Sequence, residues 1–107
     1  MKSKRSKATD ISNKVKKIVY ERDNGICVIC KQRAGNPNMH FIRRSQGGLG
    51  IPENVVCGCM ICHDEFDFDR NGKRRLHEEK IRQYLKNEYE NWKEEELVYK
   101  KFGRNYL

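Results

Sequence analysis

The sequence predicts a small α+β domain, and three observations support this prediction. The chain has 107 residues, of which 36% are charged and 36% hydrophobic, so it can bury only a small apolar core. Helical patterns lie near both ends, and short strand candidates lie between them. Two Cys-x-x-Cys pairs, Cys27/Cys30 and Cys59/Cys62, are separated by residues 31–58, which is the spacing of a four-cysteine zinc site. Four thiolates leave no open position on zinc, so this ion is expected to stabilise the fold.

The charge of the chain is distributed unevenly. The net charge is +8; residues 1–50 carry 12 basic and 3 acidic side chains, whereas residues 51–107 carry 11 and 12. The excess in the first half predicts a polyanionic partner, most simply nucleic acid. A solubilising basic tail is the alternative explanation.

The cellular location is predicted from what the sequence lacks. No apolar stretch approaches the length of a membrane span, and no apolar run follows the basic start as in a secretory signal. We therefore expect a cytoplasmic protein without a membrane partner. Reduced cysteines in that compartment fit zinc better than a disulfide framework.

The domain boundaries follow from composition. Residues 1–8 are basic and, after Met1, have no large apolar side chain, which predicts a flexible arm. Residues 9–107 are expected to form one domain, with a core motif over residues 26–70 and a helical extension over residues 73–107.

A helix is predicted over residues 10–23. Asp10 or Ser12 can cap its start, and Asn24 followed by Gly25 can end it in the left-handed conformation. Its polar face carries lysines that are either solvated or available to DNA. The apolar positions that recur at helical spacing are Ile11, Val15, Ile18 and Val19.

Between the cysteine pairs the sequence predicts a turn, a strand and a loop. Residues 35–38 have turn composition, and residues 39–44 form a strand candidate with Phe41 as a core contact. Residues 45–50 are expected to be a loop because three glycines would weaken regular structure. Pro52 should delay the second extended segment until about Asn54.

The second half is predicted to be mostly helical. A short helix is expected over residues 63–68, ended by Asn71 and Gly72, and the longest helix over residues 74–91. Cys57, the spare cysteine, is expected to be buried and inert, although it could compete for zinc. Apolar side chains that should pack the long helix and the terminal segment onto the body are Ile81, Tyr84, Leu85, Tyr89, Trp92, Leu97, Val98, Tyr99 and Phe102.

These residues resemble a known family over residues 14–70, a little over half of the chain. The pattern is that of the HNH endonucleases, which belong to the His-Me finger or ββα-metal group. The resemblance implies a ββα-metal motif stapled by the zinc, flanked by an N-terminal helix and a longer C-terminal helix. The matching positions are Cys27-x-x-Cys30, His40, Ser45, Gly47-Gly48, Asn54 and Cys59-x-x-Cys62-His63.

The resemblance implies a metal-dependent DNA endonuclease. His40 would be the general base that activates water, and Asn54 would hold the segment that carries it. His63 would bind a catalytic divalent ion, Mg²⁺ or Mn²⁺. Asp67 lies one helical turn after His63 and is a candidate second ligand.

The expected substrate is duplex DNA, bound mainly through its backbone and with low sequence specificity. Candidate phosphate contacts are Arg43 and Arg44 beside the base, together with Lys14 and Lys17 on the first predicted helix. Small stand-alone members of the family are frequent in phage. A phage origin would imply a bacterial host cytoplasm and a packaging or other DNA-processing partner. The oligomeric state stays open.

One position departs from the family pattern. Many members carry Asp or another ligand immediately before the base, whereas this chain has Met39, a poor ligand for a hard cation. Another divalent transition ion is therefore an alternative to Mg²⁺ or Mn²⁺. The alternative function is a catalytically inactive, zinc-stabilised DNA-binding or adaptor module.

Overall fold

The computed structural model describes residues 3–100 and contains helices around one two-stranded antiparallel sheet, which confirms the predicted α+β class. Short 3₁₀ turns lie at Arg44–Gln46, Pro52–Asn54, Arg70–Gly72 and Glu94–Glu96. The helices and strands, in chain order, are α1 (Lys4–Thr9), α2 (Asn13–Asp23), β1 (Asn36–His40), β2 (Val55–Gly58), α3 (Met60–Phe68) and α4 (Arg74–Glu88).

Strand β2 is buried along its whole length and has a core on each face, because side chains alternate along a strand. Val55 and Cys57 pack with Val19 of α2. Val56 belongs to the larger core, which also contains residues of α3 and α4. Strand β1 pairs with β2 so that His40 lies opposite Val55. Pairing in the sheet thus fixes the end of β1 against the buried strand β2.

The predicted turn over residues 35–38 is wrong, because β1 begins at Asn36 and ends at His40. Pro37 is tolerated there since β1 has only one neighbouring strand and its register is irregular between Asn36 and Met39. Phe41 is buried as predicted. The delayed start of the second strand is also confirmed, with Pro52–Asn54 forming a 3₁₀ turn before β2.

Residues 3–8, the part of the predicted arm that the structure describes, belong to α1 and its N-cap. The Ser3 side chain caps α1 by accepting a hydrogen bond from the amide of Ser6 at 3.1 Å. The amide of Gly50 donates to the carbonyl of Ala8 at 2.9 Å, and Arg5 donates to the carbonyl of Ser45 at 3.1 Å. This short helix is therefore held by tertiary contacts, which local composition does not reveal.

Helix α2 largely matches the prediction. Ser12, rather than Asp10, caps it and accepts from the amide of Val15 at 3.2 Å, and Asn24 ends it with φ 57°. Ile18 is 40% exposed, so the buried face of α2 is narrower than the apolar face that the sequence pattern predicts.

A buried ion pair ties α2 to the sheet and to α4. Asp23 accepts hydrogen bonds from the amide of Cys57 at 2.8 Å and from the hydroxyl of Tyr84. Arg22 pairs with Asp23 at 2.6 Å and donates to the carbonyl of Val55 at 2.8 Å. Because both ions are hydrogen-bonded on several sides, this network can be buried without an unpaired charge.

Helix α4 packs as predicted but ends at Glu88 rather than at residue 91. Ile81 and Leu85 are fully buried, and the Trp92 ring lies 5.6 Å from that of Phe41. Leu97 is buried and its carbonyl accepts from the amide of Leu49, which confirms a terminal segment folded back onto the body. Phe102 lies outside the described residues.

Helix α3 begins three residues before its predicted start and ends at Phe68 as predicted, but Asp69 rather than Asn71 and Gly72 ends it. It begins at Met60 and ends at Phe68, where Asp69 adopts a left-handed conformation with φ 53°. Among the described residues, no helix has the length and apolar character that crossing a membrane would require.

Candidate functional site

The four cysteines of the two Cys-x-x-Cys pairs come together at one point. Ligand atoms of Cys27, Cys30, Cys59 and Cys62 all lie within 4.8 Å of one another. Tetrahedral zinc with Zn–S bonds of about 2.3 Å places its sulfurs about 3.8 Å apart, which this cluster accommodates. The cysteines are therefore positioned to hold a metal ion, compatible with structural zinc.

The surroundings of Cys59 favour its thiolate form. Arg33 donates to the sulfur of Cys59 at 3.4 Å. Burial opposes ionisation of Cys59, but the hydrogen bonds from Arg33 and from the amide of Cys62 outweigh it and lower the pKa of Cys59 to about 6. A thiolate rather than a thiol is the form that binds a metal ion.

Cys57 is separate from this cluster. It is fully buried in the α2-facing core, and burial raises its pKa to about 12. The thiol is therefore protonated, which agrees with its predicted inert role and argues against competition for the metal ion.

The cluster is continuous with α3, because Cys59 is the N-cap of that helix. Its sulfur accepts from the amide of Cys62 at 3.3 Å, and its carbonyl accepts from the amide of His63 at 2.9 Å. His63 thus lies in the first turns of a helix whose start is held by the cysteine cluster.

An open cleft of about 610 Å³ is lined by five of the eight residues that the sequence singled out for catalysis, catalytic metal binding and DNA contact. One wall comes from the end of β1 and the turn after it, and another from α3. The link between α1 and α2 closes a third side. The cleft is lined by Asp10, Ile11, Lys16, Asn38, His40, Arg43, Arg44, Ser45, His63, Asp67 and Phe68.

His40 is held in one tautomer by α1. Its Nε2 lies 2.9 Å from the carbonyl oxygen of Thr9, and because a carbonyl only accepts, Nε2 must carry the proton. In the neutral ring the lone pair is then on Nδ1. Burial lowers the pKa of His40 below its ordinary value of 6.5, and the nearby charge of Arg44 lowers it further, against the opposing effect of the Thr9 hydrogen bond. His40 is therefore a neutral proton acceptor near neutral pH.

His63 and Asp67 form a pair on α3. Nε2 of His63 lies 3.0 Å from Oδ2 of Asp67, as their spacing of four residues predicts. Both side chains are partly exposed and border the cleft. The two groups therefore lie side by side in the cleft wall, and Nε2 donates its proton to the carboxylate.

Asn54 holds the loop between the two strands closed. Its Oδ1 accepts from the amide of Ile42 at 2.8 Å, and its Nδ2 donates to the carbonyls of Ile42 at 3.2 Å and Leu49 at 2.9 Å. The side chain is fully buried. Asn54 thus fixes the backbone two residues after His40, although it does not line the cleft.

Gly48 makes this closed loop possible. A Cβ at this position would lie 1.6 Å from the carbonyl oxygen of Ile42, so no larger residue fits without moving the backbone. Gly48 is therefore a packing requirement of the loop that follows His40, whereas Gly47 is favoured by its left-handed backbone, with φ 83°.

Comparison of the chain with protein-family models, with curated proteins and with solved structures found no match. Function is therefore inferred from the chemistry of the cleft and the cysteine cluster.

Positive side chains border the cleft, but not all of those that the sequence suggested. Arg43 and Arg44 line it, and Arg44 forms an ion pair with Asp10. Lys16, rather than Lys14 or Lys17, is the lysine of α2 in the cleft wall. The packing of Val15 and Val19 onto the sheet decides which side of α2 faces the cleft.

Sequence reasoning missed Thr9 as the hydrogen-bond partner of His40, and Asp10 and Phe68 as cleft residues. The first two lie at the end of a helix whose position depends on contacts with the loop near Gly50, so no local pattern marks them. Phe68 directly follows Asp67 in the sequence, and this position next to a candidate metal ligand could have indicated that it lies near the cleft.

Proposed function

We propose that this protein is a metal-dependent DNA endonuclease of the HNH, ββα-metal type. The observation that carries the proposal is the arrangement of one cleft, in which a neutral histidine on β1 faces a His–Asp pair on α3. The strands β1 and β2 and the helix α3 follow one another in the order that the motif requires. The cysteine cluster joins the segment before β1 to the start of α3, so it would hold the two chemical groups in register.

His40 would act as the general base. Its Nδ1 lone pair can take a proton from a water molecule that attacks the phosphorus, because the Thr9 carbonyl keeps the other proton on Nε2. The same carbonyl then stabilises the imidazolium through a charge-assisted hydrogen bond. Asn54 would keep the loop after His40 rigid, so that the ring does not turn away from the cleft.

His63 and Asp67 would hold the catalytic ion. Nε2 and Oδ2 lie 3.0 Å apart, about the separation of two adjacent ligands of an octahedral ion at about 2.1 Å. The ion would replace the proton that Nε2 donates to the carboxylate. A nitrogen with a carboxylate oxygen suits Mn²⁺ or another transition ion as well as Mg²⁺. Bound there, a divalent ion supplies positive charge to the phosphate and to the leaving oxygen.

The rim of the cleft would bind the DNA backbone. Arg43, Arg44 and Lys16 are the positive side chains in its wall. Phosphate contacts of this kind give affinity with little sequence preference. Binding is therefore expected to weaken steeply as the salt concentration rises.

The test is conversion of supercoiled plasmid by zinc-loaded protein with added Mg²⁺, Mn²⁺ or Ni²⁺, or with no added divalent ion. We expect nicked or linear products only with an added ion. In His63→Ala and Asp67→Ala the ion concentration needed for half-maximal rate should rise, with zinc content unchanged. Equal cleavage without added ions, or an unchanged ion requirement in both variants, would contradict the proposal.

A second candidate function is a zinc-stabilised DNA-binding or adaptor module without activity. Met39 favours it, because its side chain is fully buried against Gly58 and supplies no ligand beside His40. Such a module would bind DNA in a salt-dependent way and leave plasmid intact with every ion. The plasmid experiment therefore separates the two functions.

A further inference from the structure

Phe68 is exposed at the rim of the cleft, although a phenylalanine ring is usually buried in the core. It is 66% exposed and is adjacent in sequence to Asp67. Among residues 3–100, the other large apolar side chains more than half exposed are Tyr20, Met60, Ile61 and Leu76. Of the five, Phe68 alone is part of the cleft wall. Its exposure therefore coincides with the candidate site.

The backbone that carries the Phe68 ring is held in place at the end of α3. Arg74 donates to the carbonyl of Phe66 at 2.9 Å and to that of Asp67 at 2.6 Å, and its own amide donates to Asp69 at 2.9 Å. These bonds satisfy the last carbonyls of the helix and fix the backbone at Phe68. An exposed ring on a fixed backbone loses little conformational entropy when it binds a ligand.

A positive charge accompanies the ring. The guanidinium carbon of Arg70 lies 5.2 Å from the centre of the Phe68 ring, and Arg70 also pairs with Asp64. An exposed aromatic ring with a guanidinium over it suits a nucleobase, which stacks on aromatic side chains and gains cation–π attraction from Arg. A protein partner with an apolar contact would not require the cation.

We propose that Phe68 stacks against an unpaired base next to the phosphate bound in the cleft. Inside a duplex both faces of a base are covered by its neighbours, so a ring on the protein surface reaches a base only where pairing is interrupted. The preferred substrate class is then single-stranded DNA, or duplex DNA with a frayed, gapped or mismatched position. This inference rests on the proposed function and narrows its substrate.

The experiment compares binding of three fluorescent DNAs without added divalent ions, so that no cleavage occurs. The DNAs are a short oligothymidylate, a strand of equal length with base-free sugars, and a blunt duplex. The two single strands carry the same phosphate charge, so the ratio of their dissociation constants isolates the contribution of the bases. The variants are Phe68→Ala, Phe68→Trp, and Leu76→Ala as a control, because Leu76 is 54% exposed on α4 and borders a different cavity.

The wild-type protein should bind the thymidine strand about tenfold more tightly than the base-free strand, the size of one base stack. Phe68→Ala should lose most of this ratio, whereas Phe68→Trp and Leu76→Ala should keep it. Equal binding of both strands by the wild-type protein, or an unchanged ratio in Phe68→Ala, would overturn the inference.

The binding ratios, combined with the plasmid cleavage experiment, separate this inference from the proposed function. Plasmid cleavage combined with an unchanged ratio in Phe68→Ala would reject the stacking role and leave the nuclease in place. A ratio lost in Phe68→Ala, in a protein that cuts no DNA with any ion, would support stacking in a binding module and reject the nuclease.

Discussion

Asn54→Ala should destabilise the protein far more than an ordinary asparagine substitution. The side chain makes three hydrogen bonds to the backbone of Ile42 and Leu49, and it is fully buried. Each lost bond costs about 1 kcal/mol, and a buried group left without a partner costs about 1–3 kcal/mol. Three lost bonds at about 1 kcal/mol each give about 3 kcal/mol, and any of the three backbone groups that stays buried without a partner adds to this loss. The free energy of unfolding should therefore fall by about 3 kcal/mol or more.

The assay is urea unfolding of the zinc-loaded protein, followed by far-ultraviolet circular dichroism. Asn54→Asp should be no better than Asn54→Ala, because a carboxylate there would face two carbonyl oxygens inside the core. Asn87→Ala is the control, since Asn87 is exposed on α4, and it should change stability by less than about 0.5 kcal/mol. A loss below about 1 kcal/mol for Asn54→Ala would refute the bridging role.

Three further perturbations test other parts of the structure. An NMR titration should find the pKa of His40 below its ordinary value of 6.5. Because the neutral ring is the base, the cleavage rate should stay at its maximum down to a lower pH than with an unperturbed histidine. Asp23→Ala leaves Arg22 buried without its partner, so thermal unfolding should report a loss of about 3–5 kcal/mol. Cys57→Ala should keep the wild-type zinc content measured by mass spectrometry, whereas Cys62→Ala should reduce it, because only Cys62 belongs to the cluster.

The cysteine cluster and the main helices could be predicted because their signals are local. The Cys-x-x-Cys spacing identified the cluster residues, and helical periodicity with Ser12 and Asn24 as caps identified α2. The α4 stripe of Ile81 and Leu85 was assigned to packing for the same reason. These features depend on residues close in sequence, which is where propensity and capping act.

The missed features depend on residues distant in sequence. Helix α1 forms where composition predicted an arm, because the loop near Gly50 accommodates its end. Strand β1 begins at Asn36, three residues before its predicted start at Met39, since pairing with β2 overrides local turn preference. The Thr9 carbonyl accepts from His40 across a sequence separation of 31 residues. Every residue has a backbone carbonyl, so this contact cannot be predicted from residue types.

Single-turnover cleavage by His40→Ala tests the central claim most directly. The variant is compared with Asn38→Ala, which changes a neighbouring residue of β1 in the same cleft wall but removes no titratable group. At saturating protein, with zinc content and DNA affinity equal to wild type, we expect His40→Ala to be slower by about 100-fold or more, while Asn38→Ala stays close to wild type. Cleavage by His40→Ala at the wild-type rate would contradict the assignment of His40 as the base.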